Sequence, residues 1–142
     1  MTVRAILDGK GRDVLTIAPD ATLSAAVKTL GEHRIGAALV MSGTRIEGIL
    51  SERDVVRVLS ERGSAALDEP VSTVMTRKVR TCRESDTVAE IMESMTTGRF
   101  RHLPVVDEGR LVGLVSIGDV VKLRVMEYER EQEALRDYIK TA

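Results

Sequence analysis

The sequence has 142 residues, enough to bury a real core without a metal or disulfide staple. Its 21 basic and 22 acidic side chains leave a net charge of −1, so no global field draws it toward nucleic acid or a membrane surface. One cysteine, two histidines and 2% aromatic residues speak against internal disulfides, multi-cysteine zinc sites and base-stacking platforms, and no apolar run approaches the ~20 residues a membrane span requires.

The chain opens on Val3-Arg4-Ala5-Ile6-Leu7 and reaches Gly9-Lys10-Gly11, where a loop is expected. A short extended stretch, Val14-Leu15-Thr16-Ile17, precedes Thr22, a helix cap for apolar positions Leu23, Ala26, Val27 and Leu30 at helical spacing. Gly31 stands near the expected end of that helix. Ala37 to Met41 and Ile46 to Leu50 read as strands joined by a turn at Ser42-Gly43-Thr44, and a helix follows from Glu52 into Arg62. Gly63 to Glu69, poor in large apolar residues and followed by Pro70, reads as a linker.

The second half repeats the first. A shift of 65 residues aligns Val14–Arg57 with Val79–Lys122 without a gap, matching Thr16 with Thr81, Thr22 with Thr87, Arg34 with Arg99, Gly48 with Gly113, Ser51 with Ser116 and Asp54 with Asp119. Upstream, Val71 to Met75 resembles Val3 to Leu7 at a shift of 68, so the first copy carries three extra residues. The second copy yields an extended stretch at Val79 to Cys82, a helix capped by Thr87 and ending near Gly98, and two strands, Leu103 to Val106 and Leu111 to Val115. A long helix then runs from about Asp119 to Lys140. Its last part, Glu127 to Tyr138, is dense in Glu and Arg at spacings suited to intrahelical pairs, and the helix's apolar residues exceed what one small domain should expose, so either a homodimer or packing against the other repeat is expected, the homodimer first.

The fold class is therefore α+β: two pseudo-symmetric strand-helix-strand-strand-helix repeats with a long C-terminal helix. The expected boundaries are repeat one at 1–62, linker at 63–70, repeat two at 71–126 and charged extension at 127–142.

Gly48-Ile49-Leu50-Ser51-Glu52-Arg53-Asp54 and Gly113-Leu114-Val115-Ser116-Ile117-Gly118-Asp119 resemble the signature of the cystathionine beta-synthase (CBS) domain, and Arg99-Phe100-Arg101-His102-Leu103-Pro104-Val105-Val106 resembles its strand-entry motif. The resemblance spans about Val3 to Lys122. It implies that the two units pair about a pseudo-twofold axis into a module with two clefts for adenosine derivatives. AMP or ATP comes first, with NAD(H) next and S-adenosylmethionine less suited. It also implies dimerisation of the module.

By that resemblance Asp54 and Asp119 would hold the ribose hydroxyls, with Ser51 and Ser116 near ribose or phosphate; a carboxylate at a helix start can accept both hydroxyls of a sugar diol. The Asp54 cleft would be lined by Arg80, Phe100, Arg101, His102 and Pro104, with Arg53 adding charge. The Asp119 cleft would be lined by Leu15, Ile35, Gly36 and Ala37, beside Leu114, Ile117 and Gly118 of its own signature. Arg101-His102 stands where the first copy has Gly36-Ala37, so the Asp54 cleft is expected to be the better phosphate site. The competing reading of Ser-x-x-Asp is a capping box that satisfies backbone N–H groups with no ligand present. Lys10 could reach a phosphate, but Gly9-Lys10-Gly11 is far from a phosphate-loop pattern.

Neither a nucleophile with an oriented base nor a metal-ligand cluster is recognisable, so no catalysis and no metal are expected. The remaining expectations are a cytoplasmic setting, no nucleic-acid or membrane partner, and an effector protein the sequence does not identify. A constitutive dimeric adaptor with degenerate clefts is the alternative, and nucleotide hydrolysis a weaker one.

Overall fold

A computed structural model describes residues 1–141. In chain order it contains α1 (Val3–Lys10), β1 (Thr16–Ile17), α2 (Leu23–His33), β2 (Ala37–Ser42), β3 (Arg45–Ser51), α3 (Glu52–Arg62), 3-10 turns at Gly63–Asp68 and Val71–Thr73, α4 (Val88–Gly98), β4 (His102–Asp107), β5 (Arg110–Ser116) and α5 (Ile117–Thr141). The fold is α+β, as the duplicated pattern requires. It divides into two compact units: Asp13–Arg80, and Met1–Arg12 together with Thr81 onward.

Within the Asp13–Arg80 unit, β1 runs parallel to β2 and β2 antiparallel to β3, with Ile17 opposite Val40 and Val40 opposite Gly48. Thr22 caps α2 as its spacing suggests, its hydroxyl accepting from the Ala25 N–H at 3.1 Å. The helix runs past Gly31 and stops at Arg34, which takes the left-handed conformation at φ 52°. Leu23, Ala26 and Leu30 from α2 meet Ala38, Val40 and Leu50 from the sheet, and Val71, Val74 and Met75 complete this core. Gly63–Asp68 is an ordered 3-10 turn with Ala66 1% exposed, pinned by the Arg62–Glu69 ion pair at 2.8 Å, rather than a loose connector. The compact units meet in sequence after Arg12 and after Arg80.

The second unit repeats this plan at the same register. Cys82 bridges Val105 in parallel, 65 residues on from Ile17 and Val40, and β4 pairs antiparallel with β5 with Val105 opposite Gly113. Register irregularities recur too, after Val40 and after Val105. Thr87 caps α4 by accepting from the Glu90 N–H at 3.1 Å, and Arg99 ends it at φ 55°. The β4–β5 turn has Glu108 and Gly109 both at positive φ, 50° and 76°, the twist a two-residue hairpin turn needs. The core gathers Val88, Ile91 and Met95 from α4 with Leu103, Val105, Val115 and Val120, and is closed by Val3, Ile6 and Leu7 of α1.

α1 corrects one expectation. Gly9 and Lys10 are helical, and the chain leaves the helix only at Gly11, whose φ of 100° suits glycine and whose N–H donates to Leu7 O at 2.7 Å. Two of the three extra residues of the first copy therefore extend a helix and the third ends it. Among the described residues no helix is long and apolar enough to cross a membrane.

Candidate functional site

The two signature segments form the junctions β3–α3 and β5–α5. At each, an extended Ser ends the strand and an Asp three positions later sits in the first helical turn. Ser51 Oγ accepts from the Asp54 N–H at 3.3 Å, and Asp54 Oδ2 accepts from the Ser51 N–H at 2.9 Å and from the Ser51 hydroxyl at 3.1 Å. The second junction reproduces this, Ser116 N–H donating to Asp119 Oδ2 at 2.9 Å and Asp119 N–H to Ser116 Oγ at 3.2 Å. Capping boxes are therefore built at both starts, where acidic groups also meet the favourable end of the helix dipole.

Beyond this shared frame the carboxylates differ. Asp54 is 4% exposed, and its Oδ1 accepts from Thr76 Oγ1 at 3.1 Å and pairs with the Arg57 guanidinium at 3.1 Å. Four donors on a carboxylate with about four acceptor positions leave Asp54 satisfied by its own unit. Asp119 retains 24% of its side-chain exposure, and Lys10 from the end of α1 places Nζ 2.7 Å from Oδ2 while donating to Leu114 O at 2.9 Å. Burial acts to raise the Asp119 carboxyl; the Lys10 ammonium and the Ser116 donors outweigh it and hold the group below its ordinary value.

Hairpin register sets the surroundings. Ala37 lies opposite Ser51 and His102 opposite Ser116, while Gly36 O accepts from the Glu52 N–H at 2.9 Å and Arg101 O from the Ile117 N–H at 2.8 Å. Each strand-entry segment thus flanks its own repeat's Ser and Asp. The Asp13–Arg80 unit holds Leu15 and Ile35 half-buried, Ala37 buried, and Arg53 and Arg80 exposed. The other unit holds Phe100, His102, Leu114 and Ile117 half-buried, Pro104 buried opposite Leu114, and Arg101 and Gly118 exposed. Cys82 is buried in this unit's core, its thiol pushed up to about 12 by burial and by Asp86, which suits a packing residue. Among the described residues no group of three or more His, Cys, Asp and Glu side chains could hold a metal ion.

Thr76 and Arg57 were not legible as partners of Asp54, nor Lys10 as a partner of Asp119. One signal was available: Gly48 and Gly113 stand inside strands at matched positions, a mark of close backbone or side-chain approach. A Cβ at Gly48 would come within 2.7 Å of Met75 Sδ and Thr76 O, and at Gly113 within 2.6 Å of Leu7 Cδ2. The segments carrying Thr76 and Lys10 press on those two glycines.

The family model described as the CBS domain matches residues 4–61 and 71–125. A mitochondrial CBS domain-containing protein of Arabidopsis thaliana is 33% identical over 147 aligned positions, covering 97% of this chain and 71% of the relative. The crystal structure of a CBS-domain containing protein from Agrobacterium tumefaciens is 46% identical, covers 87% of this chain and 99% of its own, and superposes with a TM-score of 0.86. A CBS domain protein from Pyrobaculum aerophilum, solved in complex with AMP, is 28% identical over 84% of this chain and 89% of its own, with a TM-score of 0.74.

Proposed function

This chain belongs to the CBS-domain family, and on that premise we propose that it is a cytoplasmic, non-catalytic regulatory module that binds an adenine nucleotide through the sugar. The observation that carries the reading is the duplicated junction: an Asp in the first turn of α3 and again of α5, each held at one geometry by a Ser three residues before it. A carboxylate so fixed can accept both hydroxyls of a ribose. The family match and the AMP-bound relative support adenosine as the ligand class.

Asp119 is the carboxylate we assign to the first ligand bound, because it keeps solvent access and, beyond the Ser116 cap, is held by Lys10. Asp54 binds once Thr76 and Arg57 yield, and so more weakly. This reverses the preference expected from Arg101 and His102 alone. Arg101, exposed at the mouth of β4, is assigned to phosphate, which favours AMP or ATP over S-adenosylmethionine and leaves NAD(H) next. Regulation follows if nucleotide binds one arrangement of the protein better than another and an effector protein reads the difference.

A second reading, an adaptor with degenerate sites, is favoured by one observation, the saturation of Asp54. Thermal-shift titration with AMP, ATP, NAD, NADH and S-adenosylmethionine separates the readings. The proposal expects a rise in melting temperature with AMP or ATP and no turnover of the ligand. It expects Asp119→Asn to weaken AMP binding roughly tenfold to a hundredfold, the scale of hydrogen bonds to a charged group. Arg101→Ala should weaken AMP more than adenosine. An adaptor would ignore all five compounds, and an enzyme would consume one.

A further inference from the structure

We infer that Lys10 is a specificity residue that turns phosphate-free nucleosides away from Asp119: its ammonium holds the carboxylate oxygen a sugar hydroxyl needs, and gives it up readily only to a ligand that offers a phosphate in exchange. Lys10, Leu114, Ser116 and Asp119 all belong to one compact unit, and the role given to Lys10 rests on the sugar-binding assignment of Asp119 made above.

The placement of Lys10 follows from the packing of α1. Gly113 has no side chain, so Leu7 lies directly on β5, where a Cβ would come within 2.6 Å of Leu7 Cδ2. Lys10 stands three residues after Leu7, on the same face of the helix. Its ammonium therefore arrives one residue further along β5, donating to Leu114 O at 2.9 Å and to Asp119 Oδ2 at 2.7 Å. Arg12 ties the end of α1 down by pairing with Asp8 at 2.8 Å and Glu84 at 2.9 Å, which commits that guanidinium elsewhere. The other lead-in lacks the three extra residues, and what it brings to Asp54 is the neutral Thr76 hydroxyl. The cation is thus particular to Asp119.

The hydrogen bonds fix what this cation does to a ligand. The Ser116 N–H and the Lys10 ammonium both donate to Oδ2, about as many donors as one carboxylate oxygen accepts. A sugar diol held through both hydroxyls needs both oxygens, so one hydroxyl has to take the place of Lys10. A nucleoside without phosphate then breaks a charge-assisted hydrogen bond and leaves the ammonium with Leu114 O alone. S-adenosylmethionine also brings a second positive charge toward it. A nucleoside 5′-phosphate instead presents a new anion a sugar ring away, and the ammonium standing between that phosphate and the Asp119 carboxylate offsets the repulsion of the two like charges. Lysine suits the exchange because its charge sits on a flexible stem with rotatable donors, and its side chain is 39% exposed, with room to turn.

Calorimetric titration of the whole chain and of Lys10→Met with AMP, adenosine and S-adenosylmethionine tests this. Methionine keeps the apolar stem and removes the charge. AMP should bind the variant about tenfold more weakly than the parent chain, while adenosine and S-adenosylmethionine bind it at least as tightly. The ratio of AMP to adenosine affinity within one protein is insensitive to any general loosening of α1, so its fall in Lys10→Met reports the ammonium itself. A ratio that the substitution leaves unchanged, including an equal loss for all three ligands, would overturn the inference and leave the sugar contact of Asp119 standing. A parent chain that binds none of the three would overturn the sugar-binding assignment and the role of Lys10 with it.

Discussion

Asp54 and Asp119 occupy equivalent positions in different surroundings. Asp54 is closed over by donors from its own unit, whereas Asp119 keeps a face to solvent and answers to a single ammonium. The consequence is visible in acid. Because the folded Asp119 carboxyl is held below its ordinary value of 3.8, it binds fewer protons folded than unfolded at that pH. Its contribution to stability is complete above the ordinary value and disappears as pH falls through the lowered one. Lys10→Met removes the partner and should flatten this acid-limb loss, measured as the urea midpoint between pH 6 and pH 2. The difference should be about 1 kcal/mol or less, since Lys10 and Asp119 keep 39% and 24% of their side-chain exposure. An unchanged acid limb would show that Lys10 does not hold the carboxylate in solution.

At the scale of elements, each unit depends on a lead-in segment pressed against a strand glycine. The two contacts look symmetric and are not. A methyl group at Gly48 would meet the Thr76 carbonyl oxygen at 2.7 Å as well as Met75, and backbone cannot step aside. At Gly113 it would meet only the branched end of Leu7, which has other rotamers. Gly48→Ala should therefore destabilise by about 2–3 kcal/mol and Gly113→Ala by about 1 kcal/mol, read from chemical denaturation. Equal costs would mean that the Thr76 strand contact is looser than its hydrogen bonds with Ile49, 2.9 Å in each direction, imply. Local elements were legible in the sequence because their signals are local. Thr22 and Thr87 cap where spacing placed them, and the first hairpin turns at the expected Gly43. Gly9 and Lys10 were read as a loop because glycine lowers helix propensity, yet burial of Val3, Ile6 and Leu7 carries α1 through them.

Over the whole molecule the repeat in the sequence and the compact unit in space are offset. Residues 1–12 fold with the second copy and residues 71–80 with the first, so each copy's core is completed by the other's lead-in. The gapless 65-residue shift made the duplication legible, and Ser51, Asp54, Ser116 and Asp119 with it. Which core receives Val3 or Val71 was not, because an apolar stretch records that it is buried and not against what. That exchange also brings Thr76 to Asp54 and Lys10 to Asp119, which is why the sequence pointed to the carboxylates and missed what holds them. The central claim is that a carboxylate grips the sugar diol of an adenine nucleotide, and calorimetric titration with AMP and with 2′,3′-dideoxy-AMP tests it most directly. The two ligands share base and phosphate and differ only in the hydroxyls. AMP should bind at least about tenfold more tightly to the intact chain, with the gap closed in Asp119→Asn. Equal affinity for the two ligands, or binding of neither, would contradict the account.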